Sequence, residues 1–415
     1  MNWFLIVFVG VLMLGATAVS AFAWQKEADA VGEIFKIIEE NSLDPVDLTR
    51  CRYDMLKSLT KESLPAIDPV SKTASDKEFV CLDRFSGFMT PDEYREMTTE
   101  MAGAFAGVGM ELSEKDGAIV VSPIEGTPAE KAGVKAGDIV VKVRQENETE
   151  WTPIKDMQTA AKLMRGKKGT VVHITIERAG KPFEISITRD VIKVSSVVVK
   201  TLPGNVGYVR LRIFGDNSAD EVEAALRSFS PLGPRPEIVF DLRDNLGGEM
   251  YAALEILYML DKNPDDTMLT IRFNKNRKPE IHTIRNSYGK YRDVGTGAVK
   301  DAGEFAHYKI VLLVNENSAS ASELVAGALQ DRGYTVVGKT SFGKGVGQFV
   351  VQLSDGSGFR ITAFEFCVGN SKTCLHKKGV TPAIEVADSR KSAKDTAMAN
   401  DAQLQKALEV LKNIP

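Results

Sequence analysis

The spacing of apolar residues changes character several times along the chain. Phe4–Leu14 is an unbroken apolar run apart from Gly10, and small residues follow it. From 26 to 100 the apolar positions return at helical intervals, and Val31, Ile34, Ile37 and Ile38 fall on one helical face. Thr90-Pro91-Asp92-Glu93 predicts a helix start: Thr90 as N-cap, Pro91 first in the helix, Glu93 closing a capping box. Between 103 and 192 the runs become short and β-rich. GVGMEL (107–112), AIVVSP (118–123), GDIVVKV (137–143), TVVHITIER (170–178) and PFEISITRD (182–190) read as strands. TPIKDMQTAAKLMRG reads as a helix with Thr152 as N-cap, Pro153 at its first position, and Ile154, Met157, Ala161 and Met164 on one face.

From 193 to 385 strands and helices alternate. GYVRLRIF (207–214), EIVFDLR (237–243) and KIVLLVN (309–315) are strand-like; SADEVEAALRSF (218–229) and EMYAALEILYML (249–260) are helix-like. The alternation predicts an α/β core, a mixed, partly parallel sheet flanked by helices. Residues 261–308 are polar and show no regular pattern, and a short helix is expected at Asp401–Leu411. The expected divisions are 1–24, a signal peptide or membrane anchor; 25–102, helical; 103–192, an inserted α+β domain; 193–390, the α/β core; and 391–415, a helical tail.

With 415 residues, two or three domains are the natural expectation. Net charge is −4, from 52 basic and 56 acidic residues, with no long single-sign run, so nothing points to nucleic acid. No charged side chain precedes Lys26, and Ala21-Phe22-Ala23 resembles a signal cleavage site. The missing basic n-region, and Trp3 and Trp24 at the two ends, suit a retained anchor instead. Both readings predict export to the periplasm or cell envelope. In an oxidising compartment the four cysteines predict disulfides, Cys367 with Cys374 across a hairpin turn and Cys51 with Cys81. No C-x-x-C or H-E-x-x-H is present, and no metal site or cofactor is implied.

NENSASASELVAGALQD (315–331) raises the question of chemistry. Ser320 and Glu323 form S-x-x-E ahead of an apolar helix, which a capping box alone explains. The same serine follows a strand, where free helix amides can hold an oxyanion and Ala319 and Ala321 leave room for a substrate. A nucleophilic serine needs a base, and His173, His282, His307 and His376 all lie in unremarkable contexts. Gly333-x4-Gly338-Lys339-Thr340 matches a P-loop string, but a strand-like YTVV sits inside it and no helix follows, so nucleotide binding is rejected. Ser341-x-x-Lys344 lacks helical spacing because glycines surround it. Lys344 stands between Gly343 and Gly345, and at period two it shares a face with Gln348. It is either a surface lysine or a base whose pKa burial has lowered. Asn245-Leu246-Gly247-Gly248 is either a plain strand-to-helix turn or a second source of backbone amides.

Together these segments resemble the carboxy-terminal processing peptidases, tail-specific serine proteases of family S41 that carry a PDZ domain. The resemblance rests on VNENSASASELVAGALQDRG, GKTSFGKGVGQ, VFDLRDNLGG, CLDRFSGFMTPDEY, KKGVTPAIEV and the PDZ-like GVGMEL, EGTPAEKAGVKAGDIVVKV and LMRGKKGTVVHITIER. It implies a serine endopeptidase with Ser320 as nucleophile, Lys344 as base and Gln348 assisting. The oxyanion hole it implies is the amide of Ala321 with that of Gly247 or Gly248. The interval between Ser320 and Lys344 is one residue shorter than the family's usual spacing. By the same resemblance, Val108, Gly109 and Met110 would take a substrate's terminal carboxylate, with the peptide added to the following strand. Arg165 would be the regulatory residue of the PDZ domain; it is equally well read as a cation at a helix C-terminus ahead of Gly166. The implied partners are protein or peptide substrates with free C-termini; an activating adaptor, a homo-oligomer and membrane association through the N-terminus stay open. The rival reading is a non-catalytic PDZ adaptor on a protease scaffold.

Overall fold

The computed structural model describes residues 18–43, 46–48, 82–101, 104–115, 117–193, 195–261, 263, 265–274, 277–287, 291, 300–390 and 400–414. Residues 1–17, which carry most of the expected signal or anchor, lie outside them, as do Cys51 and Cys81. Helix α1 (Ala18–Asn41) runs through the Ala21–Ala23 triplet. No helix among the described residues is long and apolar enough to cross a membrane. The row Ala30, Ile34 and Ile38, joined by Ile37, packs against Leu353, Phe359 and Ile361. Val31 belongs to the predicted face but lies one residue off this row and is 38% exposed. Residues 30–38 of the helix thus turn their apolar row to the chain's own core. Strand β1 (Gly87–Met89) leads into α2 (Pro91–Met101), and the predicted capping box closes it. Thr90 N–H donates to Glu93 Oε2 at 2.7 Å, and Glu93 N–H donates to Thr90 Oγ1 at 3.3 Å.

An inserted α+β domain follows. Strand β2 (Ala104–Gly107) is succeeded by β3 (Met110–Lys115), β4 (Ala118–Pro123), the single turn α3 (Pro128–Lys131), β5 (Asp138–Gln145), β6 (Thr152–Pro153), α4 (Met157–Met164), β7 (Val171–Arg178), β8 (Lys181–Thr188) and β9 (Asp190–Lys193). The antiparallel sheet has the order β3-β4-β5-β7-β8, with β6 on β5. β2 pairs with β9, so the two ends of the insertion leave side by side. The predicted helix start is displaced: Thr152 and Pro153 pair with β5, and Asp156 caps α4 by accepting Thr159 N–H at 2.7 Å. Proline suits a short edge strand as well as a first helical turn, and the Asp156 carboxylate is the stronger cap here. Ala160 and Met164 are the α4 residues buried in this domain's core, with Met157 and Leu163 beside them.

The α/β core holds β10 (Val197–Leu202), β11 (Val206–Leu211), α5 (Ser218–Ser228), β12 (Glu237–Asp241), α6 (Met250–Leu260), β13 (Thr267–Phe273), β14 (Glu280–Thr283), β15 (Lys309–Val314), α7 (Ala321–Asp331), β16 (Thr335–Gly338), β17 (Val346–Gln352), β18 (Gly358–Val368), β19 (Thr373–Cys374), β20 (Ile384–Glu385) and α8 (Ala402–Asn413). One sheet has the order β10-β11-β12-β15-β16-β20. Its pairs from β11 to β20 are parallel, and only β10 runs antiparallel. Both faces are covered, so its strands read as continuous apolar runs. Ile238 and Phe240 join α6 and α7 in the main core, while Val239 turns to α8 through Leu404, Ala407 and Leu411. The second sheet is antiparallel: β18 is its spine, flanked by β1, β13, β17 and β19. β13 and β14 lie in the stretch that carried no legible pattern; Met268–Ile271 is a short apolar island whose strand character comes from pairing with β18. Cys367 and Cys374 face each other across β18 and β19 and are joined as a disulfide.

Candidate active site

Parallel strands β12 and β15 are neighbours and end at the same edge of the sheet, where open α/β sheets place their sites. Each runs through a tight turn into a helix, β12 into α6 and β15 into α7. Polar groups stitch the two turns together. Asn245 carbonyl accepts Ala319 N–H at 3.0 Å and Ser322 Oγ at 2.8 Å, and Leu242 carbonyl accepts Ser318 Oγ at 2.8 Å. The fit is close at Gly247, where φ is +101°. A Cβ placed there would lie 2.8 Å from Ser320 Cβ and 3.0 Å from the Ala321 nitrogen. The glycine therefore lets the first turn touch the start of α7. Its own N–H donates to Asn245 Oδ1 at 2.9 Å. Gly248 N–H has no acceptor among the described residues.

Ser320 is the N-cap of α7 and sits at φ +57°, ψ −114°. That region is natural to glycine and costs another residue about 1–3 kcal/mol. Glu323 helps to hold it there. This fully buried carboxylate accepts Ser320 N–H at 2.9 Å and Lys344 N–H at 2.8 Å on the same oxygen, Oε2. Its Oε1 accepts Gly343 N–H at 2.7 Å and Ser341 Oγ at 2.5 Å. Two hydrogen bonds to one atom thus bring the serine turn and the lysine loop together. The S-x-x-E pattern was legible, but only as a cap; that its glutamate reaches across to residues 341–344 depends on tertiary contact. Ser341 is itself buried and also accepts Val380 N–H at 2.7 Å, which makes it part of the loop's scaffold.

Lys344 is half-buried, and its pKa is lowered below the ordinary lysine value. Burial is the main cause and the nearby Arg360 guanidinium the second; Asp83 and Glu323 oppose both. The ammonium lies 5.3 Å from the centre of the Phe85 ring and donates to no described residue. Gln348 Nε2 donates to Thr362 Oγ1 at 3.2 Å, and Thr362 N–H donates to Ser86 Oγ at 2.9 Å. Simple alternation does not relate Lys344 to Gln348, because β17 begins only at Val346 and the register slips between Gly347 and Gln348. The segment 82–89 had shown no chemistry of its own, yet it brings Asp83, Phe85 and Ser86 to this site. Among the described residues no histidine hydrogen-bonds Ser320. His173 Nδ1 pairs with Ser186 Oγ, and His376 packs edge-on to Phe85. The string 333–340 is strand and loop, without the helix a P-loop needs.

In the inserted domain, Val108 carbonyl accepts Ala129 N–H, and Gly109 carbonyl accepts Ile124 N–H and Thr127 Oγ1. The amides of Val108 and Gly109 donate to no described residue. Met110 starts β3, and Met110 and Leu112, like Met157 and Leu163 of α4, pack partly buried against this domain's core. Arg165 ends α4 and lies 5.3 Å over the Phe105 ring of β2, the strand at which the insertion begins.

The sequence profile described as Peptidase family S41 matches residues 205–386, and a PDZ domain profile matches 119–178. The carboxy-terminal-processing protease of Bartonella bacilliformis is 34% identical over 332 residues, covering 78% of this chain and 71% of that protein. The chain belongs to the carboxy-terminal processing proteases of peptidase family S41. The carboxy-terminal processing protease CtpB of Bacillus subtilis is 30% identical, covering 96% of this chain and 75% of that protein. A probable CtpA-like serine protease of Staphylococcus epidermidis is 32% identical, and there the matched region spans 62% of the relative's length. Among solved structures, a putative S41 protease from Bacteroides fragilis aligns over 92% of this chain and 97% of its own with TM-score 0.54. At 17% identity that likeness speaks for the fold.

Proposed function

We propose that this protein is an exported serine endopeptidase that cleaves proteins recognised by their C-termini. Neutral Lys344 takes the proton of Ser320, and Ser320 Oγ attacks the scissile carbonyl. Gln348 orients the amine without adding charge. The amides of Ala321 and Gly247 hold the oxyanion, and water then releases the acyl-enzyme. The observation that carries this reading is the half-buried lysine with lowered pKa, on a loop tied to the Ser320 turn through a shared Glu323 oxygen. A neutral amine is the form able to accept a proton.

The described conformation reads as a resting one. Gly247 N–H is engaged by Asn245 Oδ1, and the Lys344 ammonium donates to no described residue. Productive binding would turn the Gly247 amide from Asn245 toward the substrate. In this reading the carboxylate of a substrate tail binds the amides around Val108, Gly109 and Met110, its chain extends β3, and Arg165 relays occupancy to β2. Export is supported by the apolar leader and by the Cys367–Cys374 disulfide. The test is cleavage of an unfolded protein with an apolar C-terminus by wild type, Ser320→Ala and Lys344→Ala. Loss of turnover in both variants, with tail binding retained, is expected. Wild-type cleavage by either variant would refute the assignment, and tail binding without any turnover by wild type would make the protein an adaptor.

A further inference from the structure

We propose that the Cys367–Cys374 disulfide is a thiol–disulfide exchange site that controls the Lys344 loop. This rests on the catalytic reading of Lys344. The two cysteines sit in a hairpin that grips the glycines on either side of that lysine. From β18, Phe366 N–H donates to Gly345 carbonyl at 2.9 Å. From the return segment, Lys377 N–H donates to Gly343 carbonyl at 2.8 Å. Gly345 lies so close to this segment that a Cβ on it would be 2.3 Å from the His376 nitrogen. The return strand β19 has only the register pairs Cys367 with Cys374 and Val368 with Thr373. A two-residue ladder is weak, so the covalent bond ties β19 to β18 more firmly than their pairing does.

The bond is placed for chemistry from outside. Cys367 is fully buried, whereas Cys374 is half-buried, with exposed Lys372 and Lys377 near it in the chain. Cationic neighbours favour an approaching thiolate. A dithiol reductant attacks Cys374 Sγ, the S–S bond breaks, and Cys367 leaves as a thiolate that takes up a proton. The reductant's second thiol then closes on its own sulfur and releases Cys374 as a thiol. Two electrons and two protons pass to the protein, and the reductant becomes a disulfide. A Glu365 carboxylate oxygen lies within 4.8 Å of both sulfurs and disfavours a thiolate at either, so it slows opening as well as re-closure. Leu375 is seated in the main core, so the return segment stays attached when the bond opens and the change remains local. The grip on Gly343 and Gly345 relaxes, and the Lys344 loop shifts relative to the Ser320 turn that shares Glu323 with it.

The test uses the full chain with Cys51→Ser and Cys81→Ser, so that one pair reports. The chain is equilibrated in reduced and oxidised dithiothreitol mixtures, quenched by alkylation and assayed for cleavage. Opening of the pair is expected to lower kcat at least ten-fold, with circular dichroism and cooperative melting retained, and with activity restored by reoxidation. Cys367→Ser/Cys374→Ser is expected to sit at the low rate and ignore the reductant. Full activity with the pair alkylated, loss of the whole fold on reduction, or a redox response that persists in the double serine variant would each overturn the proposal. If the double variant does not fold, the titration of the starting protein decides. Ser320→Ala is assayed alongside. Its activity would refute the catalytic reading, whereas an inactive Ser320→Ala beside a redox-indifferent parent refutes only this proposal.

Discussion

Lys300 and Lys344 are both withdrawn from water, and their surroundings drive them in opposite directions. Burial alone would lower the pKa of each. Lys300 meets three carboxylates: Asp220, Glu223 at 2.6 Å and Glu255 at 2.7 Å. Those partners overcome the burial, and its pKa is raised. For Lys344 burial comes first and the like charge of Arg360 second, while Asp83 and Glu323 pull more weakly the other way, and its pKa falls. The lesson is that burial lowers the pKa of an amine unless carboxylate partners outweigh it. Lys300 is built to stay charged and to hold α5 and α6 together. Lys344 is set in surroundings that favour its neutral form.

The strongest way to break this contrast is to fix the charge at 344. Lys344→Arg keeps a cation at every working pH and removes the proposed base. A loss of about 10²–10⁴-fold in kcat is expected, measured with a peptide substrate at several pH values. Next comes the partner turn. Gly247→Ala puts a methyl group against Ser320 Cβ and forces alanine to φ +101°. The expected loss is about 10²–10³-fold in kcat, as for a damaged oxyanion site. The opposite lysine gives the opposite signature. Lys300→Met leaves three carboxylates facing one another and should cost about 3–5 kcal/mol of stability in a urea titration. The kcat of the fraction that remains folded should be close to wild type.

The smallest effect sharpens the comparison most. Activity should rise with pH as Lys344 deprotonates, with a midpoint below the ordinary lysine value of 10.5. Arg360 lowers that midpoint, so Arg360→Gln should move the rising limb to higher pH, by less than about one unit for so exposed a neighbour. A limb that stays in place, or moves down, would show that Arg360 does not act on this amine. The two lysines also differ in linkage. Lys300, with its raised pKa, stabilises the fold below the unfolded value of about 10.5, and that contribution is lost as pH rises through its folded pKa. Lys344, with its lowered pKa, costs stability increasingly as pH falls below the same unfolded value, until its own folded pKa is passed.

Much of this was readable in the order of residues. The capping box at Thr90–Glu93, the run of β11, β12 and β15 with their helices, and the pairing of Cys367 with Cys374 all follow from local pattern. Each depends on neighbours a few residues away, where spacing and side-chain type carry the information. The misreadings share one cause. Thr152-Pro153 has the chemistry of a helix start, but β5 recruits it as an edge strand. Val31 has the right apolarity, but the sheet selects the row one residue away. β13 looks like loop until β18 pairs with it.

The site divides in the same way. Sequence alone determined that a serine would stand at a strand-to-helix turn, that Gly247 would lie in another such turn, that glycines would flank Lys344, and that Glu323 would reach back to cap α7, because these are constraints within one turn of chain. Tertiary structure decided that Glu323 binds two segments at once and that Arg360, Asp83 and Phe85 surround the lysine. A lysine's charge depends on groups that folding brings together from distant parts of the chain, and no local spacing encodes that sum.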